Sequence, residues 1–376
     1  NAGTWQYNSN ATYASETWTN ATTNTELATL AEAMEGASST TNTFDISTAV
    51  YSQNFSVAAQ EEDPLGLTFN PDGTKMFMVG ATGDDVNEYD LSTGFDVSTA
   101  LYSQSFSVAA QETFPSSIAF NTDGTKMFIL GRDGDDVNEY TLSTGFNVST
   151  ASFVDSYSIV GQETFPTGLA FNTDGTKMFV VGFDGDDVNE YTLSTGFDVS
   201  TASFVDSFSI AAQETIPEGL AFNTDGTKMF VVGRAVGQVH EYTLSTGFDV
   251  STASFVDSLN VTAQDNVVMS VAFNTNGSKM FILGQTADTV YEYNVGTTTY
   301  TNQMDKTQLD AVTDPNQVTL GTDLDLSIIL NMTSGTTVPS SNGVAINYDA
   351  NIVNKGAILG TDYDFDAPAT NKVRIT

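Results

Sequence analysis

The 376-residue chain carries 47 acidic against 11 basic side chains, a formal charge of −36, with no cysteine and a single histidine. Such a surface repels phosphate, which argues against nucleic acid or an anionic membrane as partner. The missing thiols exclude disulfides, thiolate catalysis and Cys-ligated zinc. Hydrophobic residues make up 40% of the chain, enough for a sizeable core. No apolar run is long enough to cross a membrane, so membrane insertion is not expected. Screening by salt or divalent cations would relieve the self-repulsion, as in seawater or a calcium-rich exterior.

In chain order, residues 1–43 are rich in Asn, Thr, Ser and Ala, and open Asn1-Ala2-Gly3 without a basic or apolar leader pattern. The expectation is a removed signal or an export route that uses none. The spacing of Leu27, Leu30 and Met34, with Gly36 as a stop, predicts a short helix over 26–35 in an N-terminal arm.

From residue 44 to 298 the chain repeats itself. Phe69-Asn70-Pro71-Asp72-Gly73-Thr74-Lys75-Met76-Phe77 returns with its leading Phe at 120, 171, 222 and 273, a step of 51 residues. A later Tyr keeps the same step at 89, 140, 191, 242 and 293. One unit reads as four strands: an apolar inner run at 168–172, an Asn-Thr-Asp-Gly turn, a doubly apolar strand at 177–182, an acidic turn, a mixed strand at 188–193 and an alternating outer strand at 203–210. A strand apolar on both faces needs cover on both. Crossover helices are absent from the repeats, so radially stacked blades must supply that cover. The fold class is therefore all-β, a five-bladed propeller. The early outer-type strand at 49–57 is expected to complete the last blade, which closes the ring.

The repeat resembles the Tyr-Val-Thr-Asn (YVTN) type of propeller repeat, on the Pro71-Asp72-Gly73 turn before the apolar strand from Lys75 to Val79. The near-identity of the units resembles propeller arrays in surface proteins of marine bacteria and their viruses. The ending Asn354-Lys355-Gly356-Ala357-Ile358, with Gly360-Thr361-Asp362-Tyr363-Asp364-Phe365, resembles tail-associated structural proteins of marine phages. These resemblances imply an extracellular or virion-surface protein: a rigid spacer or a receptor- or glycan-binding head, partnered by other structural subunits. The alternatives are a cellular surface-layer or filament subunit and a secreted propeller hydrolase, glycosidase or lactonase-like. Residues 299–376 read as a small β segment for docking, with alternation at 324–328 and further strands at 344–348 and 372–375. The final strand is free to pair with another subunit.

Candidate chemistry is sparse. Every unit keeps one Lys (75, 126, 177, 228, 279) and one Glu (88, 139, 190, 241, 292), expected to form an exposed cross-strand ion pair. Gln60, Gln111, Gln162, Gln213 and Gln264 recur and are expected to bond backbone at the entry to the inner strand. The acidic turns offer Asp133, Asp135, Asp136, Asp184, Asp186 and Asp187 as candidate Ca2+ ligands; solvated turn tips are the simpler reading, and no other cofactor is expected. Phe114, Phe165 and Ile216, each just before a Pro, are candidates for a ligand or receptor face, with blade packing as the plainer role. His240 stands alone where other units carry Asn87, Asn138, Asn189 or Tyr291, and reads as drift. One His and no Cys leave almost no material for a nucleophile–base pair, and near-copied inner strands oppose an asymmetric active site, so catalysis is not expected. Sequons at Asn10, Asn20, Asn54, Asn147, Asn260, Asn276 and Asn331 matter only in a glycosylating host.

Overall fold

The computed structural model describes residues 43–296 continuously, together with short strands at 5–7, 12–13, 16–17, 39–41, 298–300, 337–338, 346–347 and 373–375. Five four-stranded antiparallel sheets form the blades of a propeller. Blade 3 shows the plan: Pro166–Phe171 innermost, then Lys177–Gly182, Asp187–Leu193 and the outer Ala202–Ser209. Blade 5 takes its outer strand, Val50–Ser56, from before blade 1, pairing it with Thr289–Asn294. The ring thus closes by the strand exchange expected from the repeat boundaries.

The second strand of each blade drives the stacking. Along Lys75–Gly80 successive side chains point to opposite faces. Met76 and Met78 enter a core shared with Phe281 and Leu283 of blade 5, while Phe77 and Val79 enter the core with Met127 and Ile129 of blade 2. All of these residues are fully buried. Each fully buried side chain of this size contributes about 1.5–3 kcal/mol, and none of it is available to a blade standing alone.

A polar clamp reinforces every interface. Lys126 pairs with Glu139 at 2.7 Å within blade 2, and both then reach the link ahead of the outer strand of blade 3. Lys126 Nζ donates to the Phe197 carbonyl at 2.6 Å, and Glu139 Oε2 accepts from the Val199 N–H at 3.1 Å. The Lys177–Glu190 pair does the same to Phe248 and Val250. Around the closure, Lys228 and Glu241 hold Phe44 and Ile46, and Lys279 and Glu292 hold Phe95 and Val97. In blade 1, Glu88 accepts from Val148, while Lys75 turns to Asp90 as well as Glu88. Burial pulls the Lys75 ammonium down, but its hydrogen bonds to Asp90 and Glu88 leave it above its usual range. The expected exposed ion pair is therefore corrected: its carboxylate is buried, Glu139 being 2% exposed, and the pair joins blades.

The link held by the clamp is strained. Phe44, Phe95, Phe146, Phe197 and Phe248 all adopt φ between 56 and 58°, a left-handed conformation costing about 1–2 kcal/mol each. The Phe95 ring lies over Gly73, where a Cβ would sit 2.2 Å from it. Gly73 is itself at φ +70°, so only glycine serves there. Each outer strand is bulged near its middle, as between Phe153 and Asp155, which leaves Val154 unpaired and half exposed. A bulge with a neighbouring Asp spoils the free edge for pairing.

Outside the ring, Trp5–Tyr7 pairs antiparallel with Val373–Ile375 of the same chain. Ser39–Thr41 pairs with Thr298–Tyr300. Strands at Ile346–Asn347 and Val373–Ile375 fall in the expected places. The helix expected over 26–35 and the alternation at 324–328 lie outside the described residues.

Replacing Lys126 with Met strands the buried Glu139 carboxylate and should cost about 3 kcal/mol. The check is the shift in the urea midpoint; a change under about 1 kcal/mol would show the clamp to be no better than a surface pair.

Candidate functional site

Because the blades are near copies, an asymmetric site can be built only where they differ. Three columns of differing residues meet on one face of the ring, where the loops cross from each outer strand to the next inner strand. Ahead of the first strand stand Asp63, Phe114, Phe165, Ile216 and Val267; within its start stand Leu65, Ser116, Thr167, Glu218 and Met269. Just after the second strand, whose end pairs with the start of the first, stand Ala81, Arg132, Phe183, Arg234 and Gln285.

At this crossover mouth, Arg132 of blade 2 reaches past blade 3 to Glu218 of blade 4, with Nη2 2.6 Å from Oε2. Its guanidinium packs over Phe114, Phe165 and Phe183, 5.1, 4.9 and 5.6 Å from their centroids. The Arg132 side chain is only 6% exposed, and its Nε–H finds no partner. Arg234 donates to the other Glu218 oxygen and lies over Phe183, 5.5 Å from its centroid. Asp63 accepts from Gln285 nearby. Burial raises the Glu218 carboxyl above its usual range, although Arg132 and Arg234 both pull it down. Burial likewise lowers the Arg132 guanidinium. Between residues 43 and 296, every Lys or Arg outside the Lys clamps is in this cluster.

Of the candidate ligand face, Phe114 and Phe165 flank Arg132, and Phe165 stacks on Phe183 at 4.6 Å. Phe165 and Ile216 remain exposed at 39% and 37%. Sequence reasoning found the aromatic rim but missed Arg132, Phe183, Glu218 and Arg234. Their signal was available: each breaks its column of the repeat.

The recurring Gln does not bond backbone as expected. Its Oε1 accepts from the Tyr hydroxyl of the same repeat, as Gln264 does from Tyr293 at 2.9 Å. The backbone-bonding role belongs to the next residue. Glu112 Oε1 accepts from the Phe114 and Asp133 N–H groups, and its Oε2 from Gly134. Glu61, Glu163, Glu214 and Asp265 staple their own crossover loops to the adjacent hairpins in the same manner. Burial raises the carboxyls of Glu61, Glu112, Glu163 and Glu214.

The candidate Ca2+ ligands serve their turns. Asp135 and Asp186 supply the left-handed position at φ 46°. Asp136 and Asp187 accept from Asn138 and Asn189 at 2.6 and 2.8 Å. Asp133 and Asp184 accept from Thr113 and Thr164. Burial, then the charges of Asp184 and Asp133, raise the Asp135 carboxyl. Among the described residues no group of three or more His, Asp or Glu side chains is placed to hold a metal ion.

His240 is 2% exposed, with neither ring nitrogen bonded. It replaces the Asn of the Asn–Asp pair in blades 1 to 3, and Gln238 replaces the Asp. Burial lowers its pKa to about 4. The axial cavity on the opposite face of the ring has no titratable side chain in its lining.

No protein-family model and no curated protein matches the chain. Solved structures similar to it include a luciferin-regenerating enzyme at 14% identity and a TM-score of 0.42, covering 65% of this chain and 95% of that one. The periplasmic gluconolactonase of Pseudomonas aeruginosa is similar at 17% identity and a TM-score of 0.39, covering 63% and 69%. A functionally unknown protein of Desulfotomaculum acetoxidans is similar at 15% and 0.40, covering 63% and 71%. The likeness is one of propeller architecture. The expectation of a non-enzyme is corrected here: propellers that the chain resembles include two enzymes, and the blade identity behind that expectation fails at the crossover mouth. The resemblance to tail-associated proteins of marine phages finds no support in these matches. No helix among the described residues is long and apolar enough to cross a membrane.

His240 sets a pH test. Its folded pKa lies below the unfolded 6.5, so its contribution is lost as pH falls from 6.5 toward about 4, where only the unfolded chain takes the proton. His240→Asn should therefore gain in Tm over the native chain across that window. A gap that stays constant with pH would refute the assignment.

Proposed function

We propose that the protein is a recognition propeller whose binding face is the crossover mouth, and that it takes a small molecule, a glycan or a peptide end there. The observation that carries this reading is the concentration of blade-to-blade differences at that mouth. A ring needed only as a spacer has no use for a buried Arg–Glu–Arg cluster at one end. Such a cluster is a poor source of stability, since its desolvation offsets its attraction. Phe165, Ile216 and the part-exposed Arg234 would meet the ligand, while Arg132 and Glu218 hold them in place from beneath. The acidic surface supports an extracellular setting, where salt screens the self-repulsion. Residues 1–43 and 299–376 would serve as attachments.

A second reading, a secreted hydrolase of lactones or esters, uses the same mouth. It is supported by Glu218, a buried carboxyl of raised pKa with no counterpart at the equivalent position of the other blades, set between two guanidiniums that could hold a developing oxyanion. This is the asymmetry that a channel of five equivalent side chains lacks.

The test is a binding screen of the full chain against surface glycans, peptides and sugar lactones, with lactone opening followed by a pH indicator. Arg234→Ala and Phe165→Ala should each weaken the best ligand at least about tenfold, in line with an Arg or aromatic anchor worth more than 1 kcal/mol. Unchanged binding in both variants would refute the mouth as the site. Lactone opening that disappears in Glu218→Gln would establish the hydrolase.

A further inference from the structure

The opposite end of the ring carries an independent site. We propose that the axial cavity on the turn face binds a small uncharged molecule, apolar along its body and with a hydrogen-bond acceptor at its inner end.

Its floor is made by glycine and serine. Neighbouring inner strands approach closely along the level of Gly66, Ser117, Gly168, Gly219 and Ser270. A Cβ on Gly66 would lie 2.8 Å from the Ser117 Cα, and one on Gly219 2.8 Å from the Ser270 Cα. Beyond this neck the ring widens into a cavity of about 350 Å³, at the lower end of the range for small-ligand sites. Leu67, Ile118, Leu169, Leu220 and Val271 line it, one from each blade, followed by a layer rich in alanine. With no charged side chain in the lining, an ion entering would lose its hydration unpaid.

The floor holds donors. Each inner strand pairs on one side only, so its other edge presents backbone N–H groups toward the preceding blade. Leu67 N–H donates to Ser270 Oγ at 3.3 Å, and Leu169 N–H to Ser117 Oγ at 3.2 Å. The equivalent N–H groups of Ile118, Leu220 and Val271 face Gly66, Gly168 and Gly219, which have no hydroxyl to offer. Leu220 N lies 3.1 Å from the place a Gly168 Cβ would take. Three backbone donors thus lack the partner that two of their counterparts have, and a buried donor without a partner is costly. A carbonyl or ether oxygen at the inner end of a ligand would supply it.

The entrance is preformed. Thr122, Thr173, Thr224 and Thr275 each donate a hydroxyl hydrogen to the carbonyl of the next blade, Thr275 reaching Pro71 at 2.7 Å. The chain of bonds stops only at Pro71, which has no hydroxyl. A rim already bonded to itself loses little freedom when a ligand enters.

The probe is prodan, a neutral naphthyl ketone whose emission shifts to the blue in apolar surroundings, titrated into the full chain. Saturable one-to-one binding is expected, tighter than that of a naphthalene lacking the ketone by about fivefold, as one hydrogen bond allows. Ala221→Met and Ala170→Leu, each filling the cavity from its wall, should weaken prodan at least about tenfold with Tm retained, the second standing in should the first not fold. Arg234→Ala at the far mouth should leave it unchanged, which separates this site from the recognition face. Absent saturation, unaltered affinity in a folded cavity-filling variant, loss in Arg234→Ala, or equal binding of an anionic naphthalene sulfonate would overturn the proposal.

Discussion

A strand that is apolar on both faces cannot be satisfied inside its own blade, and the rest of this structure follows from that. Met76 and Met78 look one way along the second strand and Phe77 and Val79 the other, so each blade supplies half of two cores. The units are held in register by covalent repetition and in contact by burial. A linear stack would leave the first and last apolar faces open. A ring leaves none, and the loan of Val50–Ser56 to blade 5 ties its two ends together.

The Lys–Glu clamp gives that burial its geometry. Apolar contact between sheets tolerates sliding, whereas a buried carboxylate that must meet one N–H in the next blade does not. In four of the five links the left-handed Phe offers its carbonyl to the neighbouring Lys, while Phe146 keeps the same conformation with Lys75 turned to Asp90. That conformation lays the ring across the Asn-x-Asp-Gly turn. Local strain of this kind persists only where the surroundings over-determine it, and here both sides of the link are fastened.

Repetition makes departures from it informative. The crossover mouth gathers Arg132, Arg234, Glu218 and the aromatic residues around them. The turn face keeps its near-symmetric apolar wall, and differs between blades chiefly in which inner strands carry Ser rather than Gly at the neck. One end of the ring thus departs from the repeat in charged and aromatic side chains, the other in the choice of Ser or Gly on the inner strands. In the acidic turns Asp136 and Asp187 accept from Asn138 and Asn189, while Asp135 and Asp186 supply the left-handed position and each keep one buried carboxylate oxygen without a partner.

The sequence by itself determined the blade. The 51-residue step, the doubly apolar strand, the Asn-x-Asp-Gly turn and the early outer strand all report local pairing and burial, which are periodic properties of the chain. It also marked Phe114, Phe165 and Ile216 as a rim. It did not show that Lys126 and Glu139 act between blades, that Glu112 rather than Gln111 bonds the backbone, or that Arg132 meets Glu218. Those are contacts between residues separated by a whole blade or more, and no local periodicity encodes them. Only closure of the ring brings blades 2 and 4 within reach of one guanidinium, because the axis is the one place where non-adjacent blades approach each other.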